Sequence, residues 1–114
     1  MIPKYKTESD QLAAVQENGF AIQYIKNPSE AVQLAAVRRT GSAIEYIENP
    51  SEAVQLAAVQ EDGGAIDYII NAGIKPSIDL LWKFATEAGL DVTRYFNDLP
   101  DELQIYCRLC YTRI

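Results

Sequence analysis

With 114 residues, 48% of them apolar, the chain is one domain's worth and carries enough apolar surface for a packed core. Its 16 acidic and 10 basic residues leave a net charge of −6 without any block of like charges, which disfavours phosphate-backbone binding and is weak evidence for a nucleic-acid mimic. Histidine is absent, which removes the commonest general base and metal ligand, and the two cysteines, Cys107 and Cys110, imply no disulfide framework.

From the N-terminus, Met1 to Lys6 show charge with no apolar stretch behind it, so a secretory signal is not expected. No later apolar run reaches membrane-spanning length. The expected compartment is the cytoplasm, the host's if the gene is phage-borne.

Shifted by 22 residues, the chain aligns with itself. Residues 27–48, NPSEAVQLAAVRRTGSAIEYIE, and 49–70, NPSEAVQLAAVQEDGGAIDYII, agree at 16 of 22 positions. Residues 5–26, YKTESDQLAAVQENGFAIQYIK, agree with 27–48 at 11. A fixed period of this length is the signature of a stacked array. Each unit opens on a helix. In the first, Thr7 and Asp10 form a start resembling a capping box. In the second and third, Asn-Pro-Ser-Glu is the start, with Asn27 as N-cap and Pro28 at the first helical position, or Ser29 as the cap instead. Glu30 and Glu52 then complement the helix dipole. The QLAAV helix is apolar nearly all round, so neighbouring units must cover it on more than one face. Gly19, Gly41 and Gly63 fall where that helix should stop in a left-handed residue. A second short segment follows, as in Ala43, Ile44, Glu45, Tyr46 and Ile47; its spacing favours about two helical turns over a strand.

After Asn71 the repeat fails, and residues 72–76 read as a break. Residues 77–88 read as a helix closed by Gly89, with Leu80, Leu81, Phe84, Ala85 and Ala88 on one face and Asp79, Lys83 and Glu87 on the other. A short helix follows over 91–96. A last helix begins at Leu99-Pro100-Asp101-Glu102, with Leu103, Tyr106, Cys107 and Cys110 inward. The expected fold is therefore all-α: a short α-solenoid of three helical hairpins (5–26, 27–48, 49–70, within 1–71) and a helical C-terminal cap (72–114) in one compact domain. The cap's aromatics suit it to closing an open apolar end, and the same segment is a candidate contact surface.

The pattern QLAAV…G.AI.YI.NPSE, over residues 8–71, resembles an uncharacterised tandem helical-repeat family of phage and bacterial proteins. That resemblance implies tandem short helices and a phage or bacterial origin; it brings no catalytic residues with it.

Chemistry has few places to sit. Cys107 and Cys110 have C-x-x-C spacing, but no second ligand pair exists for zinc and the spacing lies inside a helix. Two small buried residues are the plain reading; an intermolecular zinc site or a regulatory thiol is the other. Nothing marks a pocket for paired carboxylates, and no phosphate loop or nucleophile elbow is spelled. The expectation is no enzyme and no cofactor. Gln11, Gln33 and Gln55 recur in register, as do Tyr24, Tyr46 and Tyr68; they would stack between units or face a ligand. The variable positions are Gln23, Lys26, Glu45, Glu48 and Asp67 on the short helix, and Arg38, Arg39 and Glu61 on the turn. They are either drifting surface or a recognition surface, with Trp82 and Tyr95 of the cap as further candidates. The function expected is binding of another protein, as a phage or bacterial inhibitor or sequestering protein. A nucleotide-like sponge at an oligomer interface and a structural subunit self-associating through a solenoid end or the C-terminal helices are the alternatives.

Overall fold

The computed structural model describes residues 6–111. The reading of Met1 to Tyr5, including the first residue of the first unit, lies outside them, as do the last three residues of the cap. The described residues form six α-helices, α1 (Glu8–Glu17), α2 (Glu30–Arg39), α3 (Glu52–Glu61), α4 (Ala65–Asn71), α5 (Ile78–Thr86) and α6 (Asp101–Tyr111). Three 3₁₀ helices lie among them, η1 (Gly19–Tyr24), η2 (Gly41–Tyr46) and η3 (Val92–Arg94). The protein is an all-α solenoid of helical hairpins with a helical C-terminal cap.

The long helices begin where a hydroxyl can cap them. Thr7 Oγ1 accepts from the Asp10 amide at 3.1 Å, and Ser29 and Ser51 accept from Val32 and Val54, each at 3.3 Å. Asn27 is therefore not the N-cap, and Pro28 precedes the helix. Asn27 and Asn49 instead take left-handed conformations, φ 51° and 48°. Asparagine tolerates that region better than most side chains, and it turns the chain between units.

The repeated glycines do not end helices in the left-handed region either. Asn18, Thr40 and Asp62 close α1, α2 and α3 in extended conformation, each donating its amide to Ala14, Ala36 or Ala58. Gly19 and Gly41 are demanded by close approach: a Cβ on Gly19 would lie 2.6 Å from the Ala36 carbonyl oxygen of the next unit. The left-handed glycines are Gly73 and Gly89. Gly73 completes a Schellman ending of α4, its amide reaching Ile70 at 3.0 Å and that of Ile74 reaching Ile69 at 3.2 Å. The first two short helices are followed by Asn-Pro and are 3₁₀. The third meets no proline until Pro76 and becomes a true α-helix.

The units stack in two rows. In one, α2 packs on α1, α3 on α2 and α5 on α3; in the other, η2 packs on η1 and α4 on η2. Between the rows runs a single core built from equivalent positions: Ala21, Ala43 and Ala65; Ile22, Ile44 and Ile66; Ile25, Ile47 and Ile69; Val15, Val37 and Val59. Each buried Ile or Val contributes roughly 1.5–3 kcal/mol, available only when the next unit is present to cover it.

The long–short–long order continues past Asn71, where the sequence repeat ends. Ser77 follows Pro76 as Ser29 follows Pro28, and its hydroxyl caps Leu80 at 3.1 Å. It also donates to the Glu52 carboxylate at 2.7 Å, fixing the start of α5 to that of α3. Leu80, Leu81, Phe84 and Ala85 are buried, as their spacing requires, and Asp79, Lys83 and Glu87 are exposed. The short helix expected over 91–96 is only η3. On α6, Leu103 and Cys107 are buried but Cys110 is exposed, against the inward placement read from the sequence.

Candidate interaction surface

Gln23, Lys26, Glu45, Glu48 and Asp67 are all exposed along the short-helix row, and Arg38, Arg39 and Glu61 are exposed too, but as the last residues of α2 and α3 and not on the turn where the sequence placed them. Arg39 is partly committed to the scaffold: its Nε donates to the Gln16 carbonyl at 3.1 Å, tying the second unit to the first. Gln23 folds back onto the Phe20 carbonyl at 3.1 Å. Trp82 and Tyr95 are half-buried against the core. Trp82 meets Tyr106 edge to face at 5.7 Å, and Tyr106 meets Tyr111 at 6.3 Å, so these rings hold α6 to α5.

The glutamine row is not an inter-unit ladder at the two positions where its bonds are seen. Gln33 Nε2 donates to the Pro28 carbonyl at 2.9 Å and Gln55 Nε2 to Pro50 at 3.1 Å, each within its own unit. Gln104 does the same to Leu99 at 2.7 Å. Glutamine at the fourth helical position closes the loop before the helix, which accounts for its recurrence without a ligand.

The tyrosines differ. Tyr24, Tyr46 and Tyr68 stand in one row, 72%, 44% and 36% exposed, whereas the Ala and Ile residues around them are buried. The Tyr46 ring is braced edge to face by Phe20 at 6.0 Å. The residue matching Phe20 in the second unit is Ser42, so Tyr68 has no such brace from its neighbouring unit. The Glu45 carboxylate beside Tyr46 pushes its phenol above the ordinary value, with partial burial, a hydrogen bond to Glu45, and then the phenols of Tyr24 and Tyr68 acting in the same direction.

Between the end of η2 and the end of α4 lies a groove with two compartments. The first, about 230 Å³, is floored by Ile44, Ile47, Ile69 and Ile74 and edged by Glu45 and Tyr68. The second, about 500 Å³, is edged by Tyr46, Glu48 and Asn49. Glu45, Ile47, Ala72 and Ile74 line both, so the two are continuous. Sequence reasoning found Glu45 and Glu48 from their variation between units. It missed the floor, because Ile74 belongs to the break after the repeat and its place in the lining beside Ile47 has no periodic signal.

Elsewhere the titratable groups offer little chemistry. Burial pushes the Cys107 thiol up, the direction that disfavours a reactive thiolate. Among the described residues no three of His, Cys, Asp and Glu come together as a metal site, and no helix is long and apolar enough to cross a membrane. Compared with known proteins, the chain matches no family model, no curated protein and no solved structure.

Proposed function

We propose that the protein is a non-catalytic binding module whose contact face is the short-helix row, with another protein as its partner. The observation that carries this reading is the tyrosine row: one large aromatic per unit, in register, left exposed on a rigid stack. Tyrosine supplies contact area with little rotamer entropy to lose, which is why it dominates binding hot spots. The acidic residues Glu45, Glu48 and Asp67 interleave with it and favour a partner of opposite charge. Together with the resemblance to phage and bacterial helical-repeat proteins, this supports an inhibitor or sequestering role toward a cytoplasmic host protein.

The test is affinity capture with the Tyr24→Ser/Tyr46→Ser/Tyr68→Ser variant beside the parent chain. Circular dichroism should show unchanged helicity. The captured partner should be lost by at least about thirtyfold, corresponding to the ~2 kcal/mol of one hot-spot residue. Equal capture by parent and variant would move the contact face off this row.

A further inference from the structure

We propose that the groove between η2 and α4 receives an arginine side chain presented on an extended segment of the partner protein. The inference rests on the protein-binding reading and adds the chemistry of what is bound.

The groove combines three features that suit such a side chain. Its floor is apolar, made by Ile44, Ile47, Ile69 and Ile74, which matches an aliphatic stem. Its edges carry two carboxylates, Glu45 and Glu48, and two phenol rings, Tyr46 and Tyr68. No lining residue of either compartment is cationic, and Lys75, next in sequence to Ile74, is exposed and outside the lining. A long side chain with an apolar stem and a cationic head satisfies all of these. Between the two residues of that kind, arginine fits better: both cations are attracted to an aromatic face, but the planar guanidinium also stacks flat on it and pairs with a carboxylate through two N–H groups in a fixed fork, whereas an ammonium is a compact point charge without that plane.

Size points the same way. The inner compartment, about 230 Å³, is smaller than the ~300–1,000 Å³ of ordinary small-molecule sites and suits one side chain. The wider compartment beside it, about 500 Å³, leaves room for the main chain that carries the arginine.

The array offers this site once. In the first unit the positions of Glu45 and Glu48 are held by Gln23 and Lys26, so the matching place between units one and two has an amide and a positive charge instead. There Tyr46 is also braced by Phe20. The residues that vary between units thus change the groove's charge, while Ala72 and Ile74, which lie outside the repeat, complete its lining.

The experiment is a titration of the ¹⁵N-labelled full chain with the peptide acetyl-Gly-Ala-Arg-Ala-Gly-amide. The controls are the same peptide with glutamine for arginine, and free arginine. The expected result is a saturable shift of amides in residues 44–50 and 68–74, weaker by about tenfold or more with the glutamine peptide and with free arginine. The Glu45→Gln/Glu48→Gln variant should lose the same factor. The Glu30→Gln/Glu87→Gln variant, with the same change in net charge away from the groove, should bind as the parent does. Shifts spread over all acidic residues, or indifferent to Glu45→Gln/Glu48→Gln, would overturn the proposal in favour of general attraction to an acidic protein. Free arginine binding as tightly as the peptide would overturn the assignment to a partner segment. No saturable shift, with partner capture still abolished in the triple tyrosine variant, would remove the arginine chemistry and leave the protein-binding reading standing.

Discussion

A Cβ placed on Gly41 would meet the Ala58 carbonyl oxygen and the Asp62 Cβ, both at 2.8 Å. Neither atom is the far end of a flexible side chain, so the third unit would have to move away from the second. Gly63 occupies the same position one unit on, yet the nearest atom to its Cβ would be Leu90 Cδ1 at 3.7 Å, an ordinary contact. Among the described residues no end of a long helix comes as close to Gly63 as that of α3 does to Gly41. Neither glycine has a positive φ, so conformational freedom is not what either position needs. We expect Gly41→Ala to destabilise by about 1–3 kcal/mol through overpacking. Gly63→Ala should be neutral or stabilising by up to ~1 kcal/mol, because alanine restricts the unfolded chain. Urea denaturation of the two variants decides it. Equal losses at both sites would mean that the glycine serves the helix end and not the approach of the next unit.

At the scale of the elements, α6 is held by the buried Leu103 and Cys107 and by one aromatic chain of contacts. The Tyr111 hydroxyl donates to the Ala85 carbonyl, and its ring joins those of Tyr106 and Trp82. Desolvation, and then the neighbouring Tyr106, push the Tyr111 phenol up to about 12. An unfolded tyrosine titrates near pH 10. The folded state therefore keeps a proton that the unfolded state has lost, so this contribution to stability is complete below about pH 10 and fades as the pH climbs towards 12. The ionised phenol also cannot donate to Ala85. Fluorescence of Trp82, the chain's 1 tryptophan, should report α6 leaving α5 across that interval, and the step should vanish in Tyr111→Phe. A signal flat to pH 12, or one unchanged in the variant, would sink this account. The aromatic character of the segment was legible in the sequence, as were the hairpin period, the Thr7 cap, the buried face of α5 and the end at Gly89. Other features were not, for local physical reasons. Asn27 and Ser29 both satisfy N-cap chemistry, and only the path of the chain through Pro28 chooses between them. A close approach and a left-handed turn both select glycine, so Gly19 reads alike under either cause. The recurrence of Pro-Ser at Pro76 was hidden because Pro28 to Pro50 is 22 residues and Pro50 to Pro76 is 26, which takes the fourth start out of phase. Glu45 and Glu48 were legible as variable positions, but the groove they edge depends on where Ile74 returns.

Taken as a whole the molecule is a short rod, 56 × 23 × 18 Å, with a radius of gyration of 15.6 Å against about 13 Å for a compact chain of this length. Its two ends are unequal. Helix α3 lies between α2 and α5, whereas among the described residues α1 has a long-helix neighbour on one side only. The same repeat position records the effect: Ala13 is exposed, Ala35 is half-buried and Ala57 is 7% exposed. In an array whose stability is a sum of units and nearest-neighbour interfaces, opening should cost least where an interface is missing. Amide hydrogen exchange at Val15, Val37 and Val59, all fully buried and all in equivalent positions, measures this without a difference in side chain. We expect protection to rise in that order, with α1 opening at a free energy lower than α3 by roughly 1.5–3 kcal/mol, the worth of about one buried aliphatic side chain. A single common exchange free energy at the three valines would show the rod to be one cooperative unit and would remove the gradient. The gradient bears on recognition as well. The groove edged by Glu45 and Tyr68 lies on the short-helix row, where η2 packs between η1 and α4 whereas α4 has η2 as its neighbour in the row, so the η2 wall should be held in place before a partner arrives more firmly than the α4 wall. Binding then avoids the cost of ordering a loose surface on the η2 side.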